Sequence, residues 1–216
     1  MRFFNTEGPN RPTHHYTLPP LKRWDLDQIM TLINQEKYFL LHAPRHTGKT
    51  TCLLALAELL NREGHYRALY VNIETAQAAR EDVRLAMTGI VQTLAAEAAW
   101  QLNDPEAEPL ARRVLADQAP TVALGQYLSH WCAASPLPIV LLLDEVDALV
   151  GDTLISLLRQ LRAGYPKRPG QFPQTVILCG VRDLQDYRIH ASSEKTAITG
   201  GSAFNIKAKS LRLGDF

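Results

Sequence analysis

A chain of 216 residues suffices for one domain with a sizeable core, and 46% hydrophobic with 21% charged residues excludes collagen-like, low-complexity and disordered classes. A formal charge of +1 lacks the basic excess that usually accompanies nucleic-acid binding, so any such activity would need a local patch. Cys52, Cys132 and Cys179 stand far apart in apolar segments, which suits buried reduced thiols of a cytoplasmic protein better than a disulfide or zinc framework.

The amino terminus, M-R-F-F-N-T-E-G-P-N, has no secretory apolar region, and no later run approaches the ~20 apolar residues of a membrane span. Pro9, Pro12, Pro19 and Pro20 keep residues 1–23 out of a long helix and predict an extended leader ahead of one core domain, 24–216. Between Trp24 and Glu36, Leu26, Ile29, Met30, Leu32 and Ile33 recur at helical spacing, with Asp25 and Asp27 suited to the first turn. Tyr38 to His42 is a short strand, and the helical stretch Gly48 to Arg62 is ended by Gly64. A second strand covers Arg67 to Ile73, followed by an alanine-rich stretch with helix propensity throughout, as far as Gln101. Asp104 to Pro109 breaks the pattern before two helical pieces, Pro109 to Gln118 and Thr121 to Ala134. The run P-I-V-L-L-L-D does not alternate, which marks a strand buried on both faces, as in a parallel sheet. A helix over Thr153 to Arg162, the loop Y-P-K-R-P-G-Q-F-P-Q, the strand T-V-I-L-C-G and a last strand within Phe204 to Leu213 follow. Strands alternating with helices predict a three-layer α/β domain on a parallel sheet.

Residues 43–50, A-P-R-H-T-G-K-T, lie between the first strand and the helix after it, the setting that a phosphate-binding loop requires. The pattern G-x-x-x-x-G-K-[ST] has Ala43 at its first place, where a small residue at a strand end serves. Backbone N–H groups of Arg45, His46, Thr47, Gly48, Lys49 and Thr50 would surround a β-phosphate, assisted by the positive end of the helix. Gly48 permits close approach, Lys49 reaches the β- and γ-phosphates, and the Thr50 hydroxyl is placed for Mg2+; Pro44 and Thr51 complete the cofactor-binding stretch. Further along, I-V-L-L-L-D-E-V-D ends a buried strand in acids at its C-terminal edge, where open α/β sheets bind ligands. Asp144 would hold Mg2+ through water, and Glu145 would orient and deprotonate the attacking water. Asp147 reads as part of a charged turn capping the next helix.

A-P-R-H-T-G-K-T-T followed by L-L-L-D-E-V-D-A-L resembles the Walker A and Walker B motifs of additional-strand P-loop ATPases, of the AAA+ and STAND kind. With H-Y-T-L-P-P upstream and C-G-V-R-D downstream, the chain is similar over nearly its whole length to a bacterial group of AAA-like ATP-binding proteins. The resemblance implies a five-stranded parallel sheet of order 5-1-4-3-2, ATP and Mg2+ as ligands, and hydrolysis at the β–γ bond by a motor or switch domain. It also implies that residues just beyond T-V-I-L-C-G face the γ-phosphate. Arg182 is then the sensor candidate, its guanidinium either reporting that phosphate bidentately or pairing with Asp183 or Asp186. Arginine departs here from the asparagine or threonine common in AAA+ proteins and is closer to STAND switches. Glu74, ending Y-V-N-I-E, competes with Glu145 as base, because RecA-like ATPases take their glutamate from a comparable strand end. The leader resembles the segment that closes over adenine: either Tyr16 stacks on the base or the leader covers a sheet edge. An arginine finger acting in trans would come from Arg188, Arg159 or Arg162. The helical lid of such proteins would have to follow S-L-R-L-G-D-F, so the expectation is either that the chain is a fragment or truncated reading frame, or that a homo-oligomer or partner protein supplies the lid or the finger. Two other readings are a nucleotide-dependent interaction module with little turnover, and a DNA-handling ATPase using R-A-G-Y-P-K-R-P-G with Lys207, Lys209 and Arg212.

Overall fold

Alternating side chains of the central strands feed two separate cores, and this division builds the layers. In β1 (Phe39–His42), β3 (Ile139–Asp144) and β4 (Thr175–Gly180), residues Leu40, Leu141, Leu143 and Leu178 join one core; Phe39, Leu41, Leu142, Ile177 and Cys179 join the other. The first set packs with α3 (Val83–Gln101), α4 (Ala107–Asp117), α5 (Pro120–Ala134) and α6 (Gly151–Gly164). The second packs with α1 (Leu26–Asn34) and α2 (Lys49–Glu63). Every residue of β3 and β4 is buried, as their uniform apolarity requires. With β2 (Arg67–Asn72) and β5 (Lys209–Arg212) the strands form one sheet, β2-β3-β4-β1-β5, parallel throughout, which is the expected order read from the other edge. The computed structural model describes residues 2–5, 8, 11, 13–181 and 209–214, and among these no helix is long and apolar enough to cross a membrane.

The alanine-rich stretch is not one helix. A 3-10 turn over Glu74–Ala79 ends at Arg80, whose φ of 49° leaves the helical path, and Asp82 restarts it by accepting from the Leu85 amide at 2.9 Å. Alanine content reports propensity, whereas the break is set by a local cap. Asp25 likewise caps α1, accepting from the Gln28 amide at 3.0 Å, instead of lying within its first turn. α4 begins at Ala107, before Pro109, because the first helical turn needs no N–H from proline. Among the described residues the leader forms no long helix; it has a parallel bridge between Phe3 and His15 and a 3-10 turn at Pro20–Lys22.

One glycine is fixed by packing alone. A Cβ on Gly164, at the end of α6, would stand 2.2 Å from the ring of Phe172, which is 1% exposed. Gly164→Ala is expected to destabilise the fold by about 1–3 kcal/mol or more through overpacking, measured as a lower denaturation midpoint at unchanged m-value.

Candidate functional site

β1 ends at His42, and the parallel order places the loop after it beside the ends of β4 and β3. Ala43 is fully buried and donates its amide to the Gly180 carbonyl at 3.3 Å, which anchors the loop to β4 and explains why a small residue stands there. Thr47 closes the turn, donating its hydroxyl to the Pro44 carbonyl at 2.8 Å. His46 and Gly48 both take left-handed backbone, with φ of 62° and 81°, and Gly48 is the N-cap of α2. Glycine adopts that conformation without a side-chain penalty, and its amide sits where an anion meets the helix N-terminus. Lys49 is only 5% exposed; its Nζ donates to the Ala43 and Pro44 carbonyls, each at 3.1 Å. An ammonium has three donors, so these two bonds leave one for an incoming oxygen.

The Thr50 hydroxyl donates to Asp144 Oδ2 at 2.7 Å, joining the first turn of α2 to the end of β3. Asp144 is fully buried, and its Oδ1 accepts the Glu145 amide at 3.0 Å. Glu145 turns the chain sharply with φ 59° and ψ 40°, a left-handed geometry that L-residues adopt at a cost. The turn brings its carboxyl to a cavity of about 280 Å3. Arg45, His46, Gly48, Lys49, Thr50 and Thr51 line that cavity together with Glu74, Glu145 and Gly8 of the leader. Burial first, then the charges of Asp144 and Asp147, push the Glu145 carboxyl above the usual glutamate range, with Lys49 partly opposing them.

The other residues singled out from the sequence fall in different places. Glu74 faces the same cavity from an exposed position after β2. Tyr16 does not line it: the ring is 54% exposed and packs on Phe4, with centroids 5.0 Å apart, and among the described residues of the leader Gly8 reaches the cavity. Asp147 does not cap α6, whose N-cap is Val150; its Oδ1 accepts the Val181 amide at 3.2 Å and so ties the acidic turn to the end of β4. A Cβ on Gly180 would stand 2.7 Å from that same oxygen, so the contact needs glycine. Arg159 lies on α6 and lines a separate cavity with Gln160 and Lys167, and Arg162 lies on the same helix. Arg168, in the basic loop, donates to the carbonyls of Glu36 and Tyr165 and lies over the Tyr165 ring, so it serves the fold. Arg182, Arg188 and Lys207 lie outside the described residues.

Two side chains at the site carry no motif signal. Arg23 donates to the Thr47 carbonyl and, at 2.7 Å, to that of Gly214, binding the leader and the chain after β5 to the loop. Tyr70, on β2, donates its hydroxyl to Asp144 Oδ2 at 3.0 Å; burial and then the Asp144 charge hold its phenol protonated. A lone tyrosine within the apolar middle of β2, A-L-Y-V, was the available hint.

A family profile described as an AAA domain matches residues 33–187, which take in the loop, both acids and β4. The chain belongs to the AAA domain family. Its sheet order and loop are those of a P-loop AAA+ ATPase domain. Among solved structures, Cdc6p from Pyrobaculum aerophilum is similar with a TM-score of 0.56 and 20% identity, over 91% of this chain and 46% of that one. Drosophila ORC bound to poly(dA/dT) DNA and Cdc6 is similar with a TM-score of 0.51 and 11% identity, over 88% of this chain and 28% of that one. These likenesses concern the fold, and the chain spans less than half the length of either relative. No curated protein shows significant sequence similarity to it.

Proposed function

We propose that this AAA domain binds ATP with Mg2+ at the loop 43–50 and hydrolyses the β–γ bond, as a motor or switch of the AAA+ or STAND kind. The 2.7 Å bond between Thr50 and Asp144, beside the buried Lys49, is the observation that carries the reading. It sets a hydroxyl and a carboxylate together at the mouth of a helix N-terminus, where a phosphate-bound cation needs them. Among the described residues no three His, Cys, Asp or Glu side chains form a cage for a metal ion. The residues present fit Mg2+, which takes one or two carboxylates together with substrate phosphates and keeps several waters. Bound by Thr50 and, through water, by Asp144, the ion would neutralise charge developing on the phosphate oxygens.

The chain's own groups supply the rest. Amides of residues 45–50 and the end of α2 receive the phosphates, and the remaining Lys49 donor reaches their terminal oxygens. Glu145 accepts the proton of the attacking water. Its raised pKa suits a base, because burial and neighbouring acids make its carboxylate more basic than an exposed one. Glu74, an exposed residue lining the same cavity, is assigned a supporting place. Residues 1–23 act as a strap beside the nucleotide and 24–216 as the ATPase core, with Arg182 reporting the γ-phosphate. A lid and an arginine finger come from a further segment, a second copy or a partner protein, in the cytoplasm.

Thermal unfolding with and without Mg-ATP, paired with phosphate release at rising protein concentration, tests this. Ligand at 100 times its dissociation constant should raise the midpoint by about 5–11 °C, from about 2.7 kcal/mol at about 2–4 °C per kcal/mol. No shift overturns the nucleotide reading. A shift without phosphate release at any concentration overturns hydrolysis and leaves a nucleotide-dependent interaction module.

A further inference from the structure

We infer that Tyr70 is a positioning residue for the metal side of the site: its phenol holds the Asp144 carboxylate in the orientation that serves a cation shared with Thr50. The inference rests on the Mg-ATP reading above.

Strand register places the two residues. β2 and β3 run parallel with Tyr70 opposite Leu142 and Asn72 opposite Asp144, so Tyr70 and Asp144 share a face of the sheet, two positions apart. That offset is about 6.6 Å of strand rise, a span the length of a tyrosine side chain covers. The ring packs against the core beneath α2, and the hydroxyl ends 3.0 Å from Asp144 Oδ2.

The hydrogen bonds at Asp144 give this contact its meaning. A carboxylate offers about four acceptor sites, two on each oxygen. Oδ2 receives Thr50 at 2.7 Å and Tyr70 at 3.0 Å, and Oδ1 receives the Glu145 amide at 3.0 Å. The Thr50 bond comes from the group that must turn a lone pair toward the metal, and the Glu145 bond from a strained turn. Tyr70 is anchored in a strand and donates from outside both. It therefore fixes the plane of the carboxylate whether or not the cation is present. Groups that orient a metal-binding side chain from behind typically change metal affinity or activity about 10- to 100-fold when removed.

Tyr70→Phe removes the hydroxyl and keeps the packed ring. ATP affinity is measured by calorimetry for wild type and variant, with excess magnesium and with EDTA. In the expected result, the variant matches wild type in EDTA and loses about tenfold or more of the enhancement that magnesium confers. Full magnesium enhancement in the variant overturns the inference. So does an equal loss of affinity in magnesium and in EDTA, which marks a general packing effect. Wild-type protein that binds ATP equally with and without magnesium overturns the metal reading and this inference together, whereas failure confined to Tyr70→Phe leaves the metal reading intact.

Discussion

Lys49→Ala abolishes the rise in melting temperature that Mg-ATP gives the wild-type domain. The ammonium is 5% exposed, and the bonds it makes are to the Ala43 and Pro44 carbonyls, both neutral acceptors. The Glu145 carboxyl is near enough to feel this charge, but the ammonium's own bonds are to neutral carbonyls, and taking an ion out of water costs several kcal/mol. On the nucleotide reading a triphosphate would supply a direct countercharge, so the ligand would stabilise the lysine it meets. Without it, the cradle of amides faces highly charged phosphates with no cation except the metal. The expected outcome is loss of the whole shift, about 5–11 °C at 100 times the wild-type dissociation constant. Each protein is compared with its own nucleotide-free midpoint, so a packing change in the variant does not enter. Lys49→Met, which keeps the apolar stem, should behave in the same way. A full shift in either variant would exclude loop 43–50 as the phosphate site.

Glu145→Gln separates binding from chemistry. Its carboxyl lines the cavity next to Lys49 and Thr50, on a residue held at φ 59° by the bond between its own amide and Asp144. Backbone held in that region costs about 1–3 kcal/mol, and such strain persists where the surrounding structure over-determines it. Glutamine keeps the shape and the turn but cannot accept the proton of water. Phosphate release should fall by about 10²–10⁴-fold while the Mg-ATP thermal shift remains. Glu74→Gln is the control for the competing assignment. It should retain most of the rate, because Glu74 is exposed, whereas Glu145 is half-buried in the cavity with Lys49 and Thr50. If the two variants exchanged effects, the base would come from the end of β2 and the domain would work in the manner of RecA-like ATPases.

A common feature links these residues to the rest of the fold. Loop 43–50 is bound on every side: Ala43 to Gly180, Thr47 to Arg23, Thr50 to Asp144. The acidic turn is bound in the same way, with Asp147 holding Val181. Through that bond the turn that carries Glu145 is joined to the end of β4.

Much of this site was legible in the sequence because its chemistry is local. A phosphate cradle consists of consecutive amides, so the proposal that A-P-R-H-T-G-K-T forms one could be read from eight residues, and Gly48 takes the left-handed conformation that such a loop needs. The uniform apolarity of I-V-L-L-L-D likewise determined a strand buried on both faces and carried Asp144 and Glu145 to its C-terminal end. Sheet order followed from the family resemblance to these motifs. Tertiary structure alone decided which distant side chains complete the site. Tyr70 meets Asp144 across 74 residues of sequence, Arg23 meets Gly214 across 191, and Asp147 turns to Val181 instead of α6. Those contacts depend on strand register and on the angle of a turn. No periodicity encodes either, because hydrophobic pattern specifies which face is buried and not which polar atoms will converge there.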